Sequence, residues 1–239
     1  MHNWKRKLAA TWLLLLCLFL CIVLVACGSQ RKDDNAQNLY QYNQELPLSV
    51  GNSWAYRVTR YDGFNPNLIM TATLVMTDTI ISVENKDGFF VATVQSERSA
   101  ETLVEVRGDY HVTDSLQPAT TETYWLIVDG SRVLRQDGKL NLSDLQSRTL
   151  VELVFPISLH GKWSMYAAKD APLNGEVTKA GSITVPAGTF ADCFYLQGVI
   201  GGMTFDDWFC PGIGVVWRNA EHHGTPYGNK RELVSYKVK

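Results

Sequence analysis

Charge of either sign is scarce in this 239-residue chain, at 19% of residues, and the formal net charge is only −2. A near-neutral balance argues against a nucleic-acid binder, which shows a basic surface. Cysteine is rare, with five residues, and no Cys-x-x-Cys pairs give zinc spacing. No Gly-x-Ser-x-Gly elbow, Walker-type phosphate loop or His-Glu-x-x-His helix is present. Gly212-Ile213-Gly214 lacks a third glycine and a following helix, so it does not make a nucleotide site. No motif therefore points to a cofactor, a resident metal or a named reaction. At 46% apolar, the composition is that of an ordinary globular protein, and disordered, collagen-like and coiled-coil classes are excluded.

One long hydrophobic run stands at the N-terminus. Lys5, Arg6 and Lys7 precede an uncharged, leucine-rich stretch over residues 8–26, which ends in Leu24-Val25-Ala26-Cys27. A basic start, an apolar core and small residues before a cut site make a secretory signal. Residues 24–27 resemble the lipobox of bacterial lipoproteins. That resemblance implies removal of residues 1–26 and a diacylglyceryl group on the Cys27 thiol. An uncleaved anchor helix is the competing reading, since 19 apolar residues just cross a bilayer core. Both place the body outside the cytoplasm, on the cell membrane or, in a Gram-negative source, the outer membrane. Loss of Lys5, Arg6 and Lys7 takes the basic count from 22 to 19 against 24 acids, a net of −5. Such a body is not drawn to anionic headgroups by charge, so the lipid on Cys27 is the membrane partner. Residues 27–45 are polar and read as a flexible tether, with one β-rich domain over 46–239.

That domain reads as all-β and mainly antiparallel. Val and Thr number 20 and 17 after residue 26, and turn signals recur at short intervals. Strands are expected over 53–61, 68–75, 79–84, 89–95, 102–107, 124–128, 131–135, 163–167, 177–185, 193–200, 203–209, 214–218 and 232–238. Turns are expected at Asn85-Lys86-Asp87-Gly88, Asp129-Gly130, Pro186-Ala187 and Gly201-Gly202. The architecture is a curved sheet, half-barrel or sandwich with at most one or two short helices. Ser143-x-x-Gln146 has the form of a capping box before a helix, while 149–155 competes as a strand. An echo links Leu46-Pro47-Leu48-Ser49-Val50 before Trp54 with Phe155-Pro156-Ile157-Ser158-Leu159 before Trp163. It suggests two related halves, 46–154 and 155–239, with both tryptophans as core anchors.

Pro47-Leu48-x-x-Gly51-x-x-Trp54, Val185-Pro186-Ala187-Gly188-Thr189-Phe190 and Pro211-Gly212-Ile213-Gly214-Val215-Val216 resemble motifs of a family of uncharacterised secreted β-rich bacterial lipoproteins. The resemblance implies a β-rich fold related to the half-barrel sheets of lipoprotein carriers. It supplies no catalytic residues.

Chemistry-bearing residues are few. Glu221-His222-His223 is the metal-like cluster, in a segment whose glycines and proline read as a solvated turn. Asp206 and Asp207 are adjacent, so they face opposite sides of a strand and cannot share a substrate. Asp207 shares its face with Phe205 and Phe209, so it is paired with a cation, at an edge, or functional. With Gly201-Gly202 as a hairpin loop, Cys193 falls opposite Cys210 at a non-hydrogen-bonded site, which predicts a disulfide. Both faces of that hairpin are largely apolar, so something must cover the second: this chain, a partner or a ligand. The expected function is non-enzymatic: a membrane-anchored module binding an apolar ligand or an envelope protein, without cofactor. The alternative is an extracytoplasmic hydrolase using acidic residues on a β scaffold.

Overall fold

The computed structural model describes residues 44–65, 68–107, 110–145, 149–168 and 171–239. The expected signal segment, Cys27 and nearly all of the tether lie outside them. Residues 42–239 form one compact unit. Its elements are strands: β1 (Ser53–Asn65), β2 (Leu68–Lys86), β3 (Phe89–Arg98), β4 (Glu101–Arg107), β5 (Tyr110–Gln117), β6 (Thr120–Asp129), β7 (Arg132–Asp137), β8 (Leu150–Val154), β9 (Lys162–Trp163), β10 (Gly175–Val185), β11 (Gly188–Ile200), β12 (Met203–Cys210), β13 (Gly214–His222) and β14 (Gly228–Lys237).

Twelve strands pair in the order β8-β7-β6-β3-β2-β1-β14-β13-β12-β11-β10-β9, with β4 and β5 as a side hairpin on β2. All pairings are antiparallel. The path's two ends then meet. Leu150 of β8 bridges Tyr166, just beyond β9, and the Val151 amide donates to the Met165 carbonyl at 3.0 Å. A curved sheet has thus become a nearly closed barrel, which removes the unpaired edges an open sheet would expose.

The turns form where glycine allows positive φ. Asp87 and Gly88 (φ 53° and 82°) join β2 to β3, and Gly201 and Gly202 (φ 56° and 84°) join β11 to β12. Two hairpins differ from the expected bounds: β2 runs on through Asn85 and Lys86, which leaves Asp87 and Gly88 as its loop, and the β6–β7 loop shifts by a step. Asp129 pairs with Arg132, so Gly130 and Ser131 form the loop rather than Asp129 and Gly130. Asp129 also forms an ion pair with Arg132, which holds the last rung closed. The two expected strands over 68–84 are one strand, β2, because no turn residue interrupts them. Among the described residues, no helix follows Ser143. The competing strand forms as β8, whose Val151 and Leu153 are buried in the core.

One end of the barrel is closed by the chain itself. Leu46 and Leu48 are buried there, and the Asn52 side chain donates to the Pro47 carbonyl at 2.8 Å and accepts from the Lys239 amide at 3.1 Å. The Glu45 carbonyl accepts from Gly212, so chain just before Leu46 is already part of the fold. Trp54 and Trp163 are both core residues.

The second face of the β11–β12 hairpin is covered in part by this chain. Cys193 is fully buried, and the β10–β11 turn folds back so that the Ala187 amide bonds the Leu233 carbonyl of β14. Cys193 and Cys210 are joined in a disulfide, with Cα atoms 4.2 Å apart. The register around it is Phe194–Phe209, Tyr195–Trp208 and Ile200–Met203.

Candidate functional site

Strand alternation sends every second side chain into the barrel, and several of these are charged. One rung runs Leu196, Asp207, Arg218, Arg231, Val58, Leu74 across β11, β12, β13, β14, β1 and β2. Asp207 therefore points inward with Phe209 and answers the question its sequence posed: it is paired with a cation. Arg218 Nε and Nη2 donate to its two carboxylate oxygens at 2.7 and 2.6 Å. Nη2 also reaches Glu152 of β8, at 2.7 Å, on the opposite wall. Asp206 faces outward and accepts from Gln197 at 2.9 Å.

The remaining inward polar groups come from other strands. Arg135 of β7 donates to Asp137 at 2.9 and 3.0 Å, and its guanidinium carbon sits 3.8 Å from the Tyr124 ring centroid. The Tyr124 hydroxyl donates to Asp78 of β2 at 3.3 Å, while the other Asp78 oxygen is buried without a partner. Tyr56 donates to the Val215 carbonyl at 2.9 Å. Arg231 of β14 differs from the other two arginines. It is the register partner of Arg218, a like charge, and its Nε is buried without a hydrogen bond.

Ionisation follows this layout. Burial opposes the charge on Glu152, but the Arg218 and Arg135 guanidiniums outweigh it and hold its carboxyl at about 2. Asp207 shares Arg218 with Glu152, and there burial wins and the carboxyl is raised. Burial, with Asp78 close by, raises the Tyr56 and Tyr124 hydroxyls, so both remain neutral hydrogen-bond donors. Burial and then the Arg218 and Arg135 charges lower Arg231.

The arginines partition the lumen into three cavities, all lined by Arg135 and Arg231. The smallest, about 90 Å³, lies at the closed end against Leu46, Trp54, Leu126 and Leu153. A second, about 180 Å³, lies against Trp163, Met165, Leu196 and Phe205. The largest, about 440 Å³, is polar, with Asp78, Ser96, Glu122, Tyr124, Arg135 and Arg231 in its wall. That volume is in the range of small-molecule sites.

The metal-like cluster is not assembled. His222 Nδ1 contacts the Thr225 hydroxyl at 2.8 Å in the β13–β14 turn, and His223 Nε2 contacts Thr204 of β12 at 2.5 Å. No group of three metal-ligating side chains occurs among the described residues. Asp78, Arg135, Glu152, Arg218 and Arg231 went unread in sequence. Each sits two residues from an apolar neighbour on its own strand, the same signal that singled out Asp207.

No family model matches the chain, and no curated protein matches it. Two solved structures are similar in outline. One is a candidate exported protein with YmcC-like fold from Bacteroides fragilis NCTC 9343, at TM-score 0.40 and 9% identity over 79% of this chain and 96% of that one. The other is a candidate lipoprotein from Parabacteroides distasonis ATCC 8503, at TM-score 0.35 and 14% identity over 80% of this chain and 96% of that one.

Proposed function

We propose that this chain is an extracytoplasmic lipoprotein, held at the membrane by lipid on Cys27, whose barrel is a non-enzymatic binding module. The observation that carries the binding role is the unfilled polar side of the lumen. A concavity of about 440 Å³, open past the exposed Glu122 and Asp137, adjoins six charged side chains and Tyr124. The ligand is small and polar. An apolar ligand was the expectation from sequence, but the apolar end measures only about 90 Å³, room for a few methylene groups at most. The acidic residues do not favour the hydrolase alternative. Asp207 and Glu152 are both occupied by Arg218, which supports a structural role for this pair rather than acid–base work.

Native mass spectrometry of the full chain, extracted from membranes in detergent, tests the binding role. A discrete adduct is expected in the unaltered protein. It should be absent in Ser96→Phe, which fills the large cavity from β3. An unaltered protein that carries no adduct, and gains none when dialysed against a cell extract, overturns the proposal.

A further inference from the structure

From the lumen geometry we infer that Arg231 is the anchor for an anionic oxygen group, carboxylate or phosphate, on the ligand that enters the 440 Å³ cavity. This rests on the lumen being a binding site. Four arginines line that lumen among the described residues: two are committed, and Arg98, at the end of β3, is part-exposed to solvent. Arg218 is held by Asp207 and Glu152. Arg135 is held by Asp137 and stacked on Tyr124. Arg231 forms no hydrogen bond or ion pair with any described residue, and its Nε is sealed from solvent.

A cross-strand like charge makes this more costly. Arg218 lies opposite Arg231 in the β13–β14 ladder, where like charges destabilise a sheet. Asp78 of β2, Glu152 and Asp207 offset part of the Arg231 charge without forming an ion pair with it; Asp78 accepts from Tyr124 and keeps one oxygen unpartnered. A buried guanidinium is ordinarily neutralised by a partner, because an uncompensated charge in a low-dielectric interior is expensive. Arg231 is part of the wall of that cavity. Guanidinium offers a planar fork suited to two oxygens of one oxyanion, and such charge-assisted bonds are the stronger kind. Burial and then Arg218 and Arg135 lower the Arg231 pKa, while Asp78 and Tyr124 raise it in part, so an arriving anion relieves the unfavourable balance that remains.

The test is thermal unfolding of the full chain in detergent, titrated with sodium phosphate or sodium acetate against sodium chloride at matched ionic strength. The unaltered chain should gain stability saturably with at least one oxyanion. Arg231→Met should lose that response, with apparent affinity down at least about tenfold. It should also melt no lower than the unaltered chain in chloride, because it removes a charge that burial and two neighbouring guanidiniums disfavour. A response that persists in Arg231→Met overturns the inference, and so does no response in the unaltered chain. An Arg231→Met chain that fails to fold shows Arg231 to be structural and overturns it too. If the adduct seen by mass spectrometry carries no anionic group and survives Arg231→Met, this inference fails while lumen binding stands. An empty lumen with no oxyanion response removes both.

Discussion

Arg218 of β13 and Glu152 of β8 meet across the barrel lumen, Nη2 to Oε2 at 2.7 Å. Their strands are not neighbours in the sheet, since β7, β6, β3, β2, β1 and β14 separate them on the pairing path. The same guanidinium holds Asp207 beside it. One arginine therefore ties two opposed walls together and leaves its carboxylates satisfied.

Arg218→Met strands two carboxylates in the lumen without a cation. Breaking a buried ion pair from one side costs about 3–5 kcal/mol. Urea unfolding should show a loss of that size. The triple change Arg218→Met, Asp207→Leu and Glu152→Met should recover much of it, because no bare charge is left. A triple variant as unstable as the single one would mean that lost packing, not lost charge, sets the cost.

Acid should loosen the barrel through Glu152. Its carboxyl is held at about 2 against an ordinary value of 4.5. A depressed carboxylate contributes stability that is present above the unfolded value and lost as pH falls toward the folded one. The loss therefore belongs to the window from about 4.5 down to about 2. Asp207, whose carboxyl is raised, works in the opposite direction and offsets part of it as pH falls. Glu152→Gln should flatten the acid limb of a stability–pH curve. A limb of unchanged steepness would assign acid sensitivity to other carboxylates.

Barrel closure depends on a close approach at Gly175. A Cβ there would lie 2.5 Å from Trp163 Cε2, on the ring that anchors β9. Gly175→Ala must displace an indole wedged in the core, at about 1–3 kcal/mol. Gly198 also faces a close neighbour, but that neighbour is the flexible side chain of Met165. Gly198→Ala should cost less. Denaturant midpoints of the two variants compare them directly, and the reverse order would show that Trp163 yields more easily than Met165.

The Cys193–Cys210 bond closes a loop with a sequence separation of 17. Constraining the unfolded chain over that length is worth about 3 kcal/mol in the chain-entropy picture. The paired change Cys193→Ser and Cys210→Ser should lower stability by roughly that amount. Thiol titration of aerobically purified protein under denaturing conditions should find neither cysteine free.

Lipid on Cys27 predicts a mass increment of a diacylglyceryl group on a new N-terminus at that residue. Cys27→Ala should leave the leader uncleaved by the lipoprotein pathway and abolish the increment. Normal processing and an unchanged lipid mass in Cys27→Ala would exclude the anchor.

Local rules carried the strand and turn pattern. β-branched residues, the Gly88 turn, Pro186-Ala187 and Gly201-Gly202 each act within a few residues, so most strands and the places of the turns could be read directly, while β5 was missed and two turns were bounded differently. The Cys193–Cys210 pairing was legible for the same reason: a two-residue loop sets the register of everything behind it. Asp207 stood out as a charge on an apolar face, but its partner could not be named, because Arg218 belongs to the next strand and Glu152 to one 55 residues earlier. Whether the sheet stayed open or closed was a tertiary decision. It depends on Leu150 meeting Tyr166, a contact made only after the other strands have twisted and coiled into place. Closure in turn converts inward-facing arginines and acids from an ordinary polar face into a shared, dehydrated cluster. Alternation along each strand determined which side chains point the same way; the curvature of the whole sheet decided that they point at one another and that Arg231 stands in the wall of the largest cavity.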